Sequence, residues 1–358
     1  MKVVTIIGAR PQFIKAAVVS NALHKYPNIE EVIIHTGQHF DANMSDIFFQ
    51  QMGIKKAAYN LNISSLSHGA MTGRMLEQIE KIIVKEKPDW VLVYGDTNST
   101  LAGALAASKL HVKVAHVEAG LRSFNMQMPE EQNRILTDQL SSILFCPTES
   151  AISNLSKEGY KNKNCKVINV GDVMLDAALC FKELAVVPGQ LTDFDFTKPF
   201  VLSTVHRAEN TDDETRLTNI IQALNEINET TTVILPLHPR TRQILSKLNI
   251  KTNITLIEPV GYLEMVYLIN HCKAIICDSG GLQKEAYFFD KPCVTMRDET
   301  EWVELIEMGV NILAGANKNA IVNAYDSMSK KTIKRDNEHY GGGQACACIV
   351  EELINYEP

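Results

Sequence analysis

Residues 89–119 read DWVLVYGDTNSTLAGALAASKLHVKVAHVEA, and the fold follows from how this stretch divides. Its two ends, 89–95 and 113–119, are short valine-rich runs with the length and β-branched content of buried strands. Between them stand Ala102, Gly103, Ala104, Ala106 and Ala107, small side chains that let a helix pack closely against its neighbours. A strand, a helix and a second strand, in that order, make one unit of a parallel sheet.

The alternation repeats outward. VVTII (3–7) and EVIIHT (31–36) precede the unit, and SILFCPT (142–148) and CKVINVG (165–171) follow it. Ile14, Val18 and Ala22 share one helical face; Met71, Met75, Ile79, Ile82 and Ile83 share another. Apolar strands between amphipathic helices predict a parallel sheet covered on both sides. The pattern lapses at AVVPGQLTDFDFTKP (185–199), where two prolines and a glycine interrupt any helical period. It resumes with PFVLSTVH (199–206), TVILPLH (232–238), ITLIEPV (254–260), KAIICDS (273–279), KPCVTMR (291–297) and NILAG (311–315). The expectation is an α/β protein of two Rossmann-like, doubly wound domains facing a cleft. They are read as 1–184 and 200–340, with 185–199 as linker. Residues 341–358 are read as a C-terminal helix that could pack across both domains.

The chain has 358 residues, more than one core usually serves. A net charge of -7 without a basic run argues against a nucleic-acid partner. No apolar stretch approaches the roughly 20 residues of a membrane span, and the first strand begins too early to leave room for a signal peptide. The 8 cysteines are scattered without a CxxC pair. Cys346 and Cys348 lack the partners a zinc site needs. Reduced thiols, no metal and a cytoplasmic location are expected.

Ligands of open α/β sheets bind beyond the carboxyl ends of the strands, so the residues just after each strand carry the functional expectations. In GARPQFIK (8–15), Gly8 permits a tight turn and Pro11 suits a first helical turn. Arg10 and Lys15 then stand near a helix N-terminus, where they serve an anion or merely face solvent. In YGDTNSTLAG (94–103), Asp96 follows a strand, and Asn98 or Ser99 can cap the next helix. In AHVEAGLRSFNMQMPEEQNR (115–134), His116 reads as a satisfied core histidine and Glu118 ends the strand. Glu130 opens a helix, where a carboxylate is favourable in any case. Asp96, Glu118 and Glu130 together are expected to meet at one mouth. Three crowded carboxylates repel, and at least one is expected to hold its proton more tightly, giving an acid and a base at neutral pH. In the second half, His206 and Arg207 follow one strand and His238 and Arg240 the next; each suits surface charge or ligand contact. Ser279, Gly280 and Gly281 join a strand to a helix with bare N–H groups open to an anion. Glu285 lies a turn further on, within reach of ribose hydroxyls.

GARPQFIK, YGDTNST, HVEAGLRS, PEEQNR, VHRAEN and DSGGLQKEA, in that order, resemble the non-hydrolysing UDP-N-acetylglucosamine 2-epimerase family over nearly the whole chain. The resemblance implies a glycosyltransferase-B-like fold, a UDP-sugar substrate, a homodimer and no cofactor. It implies inversion at C2 of a UDP-linked 2-acetamido sugar, through loss of UDP with the C2 proton and re-addition to a 2-acetamidoglycal. Asp96, Glu118, Glu130 and His206 then fall to catalysis. Arg10, Lys15, Arg207, His238, Ser279, Gly280, Gly281 and Glu285 fall to substrate binding. The common opening GTRPE is GARPQF here, Trp302 stands where the usual pattern has arginine, and SFNMQMPEE and PLHPRTR also depart. These features look more like the branch acting on UDP-2,3-diacetamido-2,3-dideoxy-glucuronate, which makes the manno epimer for bacterial lipopolysaccharide and O-antigen. UDP-N-acetylglucosamine is the alternative substrate. A glycosyltransferase, a hydrolysing epimerase and an inactive UDP-sugar-binding module rank below both. A loop like TGQHFD (36–41) binds an activating UDP-sugar in some family members; Gln38 and His39 serve that purpose or close the active site.

Overall fold

A computed structural model of the chain describes residues 1–38, 53, 55–337 and 339–357, apart from the Arg10 side chain. The chain forms two compact units, Met1–Leu179 with Asp336–Pro358, and Cys180–Arg335.

The first unit runs β1 (Lys2–Ile7), α1 (Arg10–Leu23), β2 (Glu30–His35), β3 (Tyr59–Asn60), α2 (His68–Glu86), β4 (Trp90–Tyr94), α3 (Asn98–Lys109), β5 (Lys113–Val117), α4 (Pro129–Leu140), β6 (Ile143–Cys146), α5 (Glu149–Lys157), β7 (Lys166–Asn169) and α6 (Val173–Lys182). Its strands lie in the order β3-β2-β1-β4-β5-β6-β7, and every pair is parallel. The chain winds outward from β1 to β3 and then crosses back to β4. The order therefore reverses between β1 and β4, and their following loops open a crevice there. Ile6, Val91, Val93, Met75 and Ile79 are fully buried in the core beneath it. Burying each such side chain contributes about 1.5–3 kcal/mol. α3 lies so close to β1 that a Cβ on Gly103 would sit 2.5 Å from Ile6 Cδ1. α3 is capped by Thr97, not by Asn98 or Ser99. The Thr97 hydroxyl accepts from Thr100 N at 3.3 Å, so the helix starts one residue earlier than its polar run suggests.

The second unit runs β8 (Phe200–Thr204), α7 (Ala208–Thr211), α8 (Glu214–Asn228), β9 (Thr232–Pro236), α9 (Pro239–Lys247), β10 (Thr255–Ile257), α10 (Tyr262–His271), β11 (Ala274–Cys277), α11 (Gly280–Phe288), β12 (Cys293–Thr295), α12 (Val303–Glu307), β13 (Asn311–Leu313) and α13 (Lys318–Met328). Its parallel order is β10-β9-β8-β11-β12-β13, with the reversal between β8 and β11. Residues 185–199 belong to this unit. Phe194 and Phe196 there meet Phe200 edge-on, with centroids 5.8 and 5.7 Å away.

The last helix, α14 (Ala345–Ile354), returns to the first unit and packs on α1. Asp176 on α6 accepts Ala345 N at 3.2 Å and Cys346 N at 2.9 Å, occupying otherwise unpaired donors of the first turn of α14.

Candidate active site

In the first unit the loops after β1, β4 and β5 converge at the reversal point. Gln12, in the first turn of α1, joins two of them. Its side-chain carbonyl accepts from Gly8 N (2.8 Å) and Ala9 N (3.0 Å). Its amide donates to Tyr94 O (2.8 Å) and to the Thr100 hydroxyl (2.9 Å). A glutamate, as in the common family opening, has no N–H for the second pair when ionised.

Glu118 follows β5 with φ 70, in the left-handed region. For a residue with a Cβ this costs on the order of 1–2 kcal/mol, and such strain concentrates at functional sites. Glu118 N and Ala119 N both bond Phe145 O, at 3.1 and 3.0 Å, which fixes the turn. The Glu118 carboxylate pairs with the ammonium of Lys15, which reaches up from α1 and is itself buried. Gly95, with φ 61, makes room for the pair, since a Cβ there would stand 3.2 Å from Glu118 Oε2.

Asp96 pairs with Arg134 of α4, and Arg134 also holds Glu131 at 2.9 Å. Burial alone would weaken the hold of Arg134 on its proton. Asp96, Glu131 and Glu118 more than offset this and fix it as a cation. The crowd of mutually repelling carboxylates expected from the sequence is therefore not what is built. Negative and positive groups alternate, and Asp96 and Glu118 each have a cation as neighbour.

Glu130 lies exposed on the first turn of α4. Its neighbour Glu131, about 100° further round the helix, is 1% exposed. Glu131 accepts Ser123 N and Phe124 N, each at 2.9 Å, and so anchors the 123–128 loop to the helix that carries Arg134. Behind the site His116 is fully buried, with Nδ1 2.7 Å from Asp138 and Nε2 2.7 Å from Gly95 O. Arg122 meets the same Asp138 at 2.8 Å and clasps Glu158 at 2.7 and 2.8 Å. These partners explain the core histidine and tie the Asp96 turn to α4. At the β2 end, Gln38 accepts from Ser99 N and Oγ at 3.1 and 2.8 Å. His39 lies outside the described residues, as does the Arg10 side chain.

In the second unit the mouth is organised by Asp278, a fully buried carboxylate at the end of β11. It accepts His206 N (2.9 Å), Arg207 N (2.9 Å) and Asn210 Nδ2 (3.3 Å), and it faces His206 Nδ1 at 3.1 Å. Burial alone would push its proton affinity up, but His206 and the backbone N–H groups outweigh that. Its pKa lies below the ordinary carboxylate range. The His206 side chain is half exposed. Arg207 approaches the start of α11: a Cβ on Gly280 would lie 3.5 Å from Arg207 Nη2 and 2.4 Å from Glu301 Oε1. Ser279 caps α11 through Leu282 N. Gly281 has open space where its Cβ would be, and Glu285 is half-buried a turn along. His238 caps α9, its Nδ1 accepting Arg240 N at 3.3 Å, and Arg240 pairs with Asp212 on the exposed surface. Ser279, Gly280, Gly281, His206 and Arg207 thus gather around β8 and β11, while His238 stands at the head of the helix after β9.

The chain is similar to known proteins over nearly its whole length. The family model described as UDP-N-acetylglucosamine 2-epimerase matches residues 21–354. A UDP-2,3-diacetamido-2,3-dideoxy-D-glucuronate 2-epimerase of Pseudomonas aeruginosa is 60% identical, over 99% of both chains. Among solved structures, the UDP-GlcNAc 2-epimerase of Methanocaldococcus jannaschii in complex with UDP-GlcNAc and UDP is similar at TM-score 0.86 and 46% identity. The match covers 99% of this chain and 100% of that one. The UDP-GlcNAc 2-epimerase of Neisseria meningitidis bound to UDP-GlcNAc is similar at TM-score 0.87 and 34% identity, with the same coverage.

Proposed function

The chain belongs to the UDP-N-acetylglucosamine 2-epimerase family, and from that premise we propose that it inverts C2 of UDP-2,3-diacetamido-2,3-dideoxy-glucuronate to give the manno epimer for surface polysaccharide. The observation that carries the substrate is the gap in identity. It is 60% to the relative named for this sugar, against 46% to the M. jannaschii enzyme named for UDP-GlcNAc.

The proposed chemistry is acid–base elimination and re-addition. A base takes the C2 proton, the electron pair forms the C1=C2 bond, and the C1–O bond to UDP breaks. UDP oxygen then re-forms the bond to C1 while C2 is protonated on its opposite face. Asp96, Glu118 and Glu130 are the proposed proton carriers. The place of Asp96 and Glu118, both half-buried just beyond the carboxyl ends of the adjacent strands β4 and β5, supports this. Arg10, Lys15, His206 and Arg207 are the proposed cations for the leaving diphosphate. Ser279, Gly280 and Gly281 are proposed to hold that diphosphate by backbone N–H groups at a helix start, Glu285 the ribose, and His238 the nucleotide periphery. A cytoplasmic homodimer completes the proposal, with sedimentation velocity as its check.

Proton NMR in heavy water tests the substrate. The enzyme is given UDP-2,3-diacetamido-glucuronate in one tube and UDP-GlcNAc in another. Deuterium at C2 with a new manno anomeric signal in the first tube alone is the expected result. The same change in the second tube alone sinks the diacetamido assignment.

A further inference from the structure

We propose that Trp302 is a positioning residue of the α11 anion cradle, an inference that rests on the nucleotide-binding part of the function proposed above. Trp302 is 8% exposed, and its indole N–H donates to Gly280 O at 2.9 Å. That carbonyl belongs to the same peptide plane as Gly281 N–H. Tying the oxygen fixes the direction in which the N–H points, and Gly281 is the glycine with open space beside it. The indole is itself held. The Lys284 ammonium, buried at 3% exposure, lies 4.2 Å from the ring centroid. Gly280 and Lys284 are four apart on one helix and so share a face, and the ring spans both.

The neighbours of Trp302 extend the brace. The Thr300 hydroxyl donates to Gln283 Oε1 at 2.7 Å, and Trp302 N donates to the Thr300 hydroxyl at 3.2 Å. Glu301 packs on Gly280 and is held by Arg297 at 2.9 Å. Residues 300–302 therefore run along the first turn of α11 and touch it at three points. An aromatic ring with one N–H does this where the usual family pattern has arginine. The cradle serves the part of the substrate shared by all UDP-sugars, so Trp302 acts on nucleotide affinity.

Titration calorimetry with UDP tests this on wild type, Trp302→Phe and Lys284→Met, each first checked for a wild-type melting transition. Trp302→Phe keeps the ring and loses the N–H; its Kd for UDP rises about fivefold, the worth of one neutral hydrogen bond. KM for the UDP-sugar rises by the same factor, and kcat stays within about twofold. Lys284→Met keeps the N–H and releases the ring, and its Kd rises about threefold. UDP affinity equal to wild type in Trp302→Phe overturns the inference, as does a loss confined to the UDP-sugar, which would put Trp302 against the sugar. If Trp302→Phe does not fold, Lys284→Met alone decides by the same criterion. Wild-type enzyme that binds UDP but exchanges no C2 proton sinks the epimerase reading and leaves this one standing; wild type that does not bind UDP sinks both.

Discussion

The mouths of the two sheets hold their carboxylates in different ways. In the first, Asp96 and Glu118 end at side-chain cations. In the second, Asp278 spends its lone pairs mainly on backbone N–H groups and shapes a loop. The difference suits what the proposed function asks of each half. Moving a proton needs groups whose charge can change, with a partner ready to absorb the change. Holding a diphosphate, which exchanges no proton in the proposed step, needs fixed donors.

Glu118→Gln puts the largest strain on this contrast. The amide cannot carry the proton, and kcat falls by about a thousandfold, while calorimetric UDP affinity stays within about twofold of wild type. Turnover at the wild-type rate would remove Glu118 from the chemistry and erase the contrast.

Asp278→Asn is the counterpart in the second unit. An amide keeps one acceptor oxygen and loses the charge that holds His206. UDP affinity falls about tenfold, and the protein loses about 2 kcal/mol of stability. The sign of the pH dependence follows from the depressed pKa of Asp278. The folded state binds this proton less readily than the unfolded chain does. Its stabilisation is therefore fully present above the ordinary carboxylate value and is lost as the pH falls through the depressed folded value. Urea midpoints between pH 6 and pH 3 should drop more steeply for wild type than for the variant. Parallel curves would show that Asp278 is not the group being titrated.

Glu131→Gln sharpens the comparison, because Glu131 combines both habits. It holds two loop N–H groups and one arginine. Losing part of that set costs about 1 kcal/mol. It speeds proteolysis within 123–128 more than it lowers kcat. A kcat loss as large as that of Glu118→Gln would place Glu131 among the proton carriers.

The parallel sheets were legible from the β-branched runs alone, and Asp96 and Glu118 were legible from their place after strands. What the sequence hid is phase and partnership. Which of Glu130 and Glu131 turns inward depends on where α4 starts, and one residue of shift rotates the answer by about 100°. His116 finds Asp138 22 residues away, a distance that periodicity does not span. Asp278 sits between a cysteine that ends a strand and a serine that caps a helix, and nothing in that position marks it as the anchor of the distant His206–Arg207 turn. Trp302 was visible as a departure, but its hydrogen bond to Gly280 comes from a fold-back of the chain. Arg134 stands in the 115–134 stretch with Glu118 and Glu130, and only the helix shows that it meets Asp96 and Glu131.

The Asp176 clasp on α14 has a consequence for how the molecule is made. The first unit takes its last helix from residues that follow the second unit in the chain, so the second unit is, in topology, an insertion into the first. During synthesis residues 180–335 form an uninterrupted block that can close on itself while the first unit still lacks its final helix. The half that leaves the ribosome later is thus the one equipped to finish earlier, and the half that holds the strained glutamate is the last to be locked.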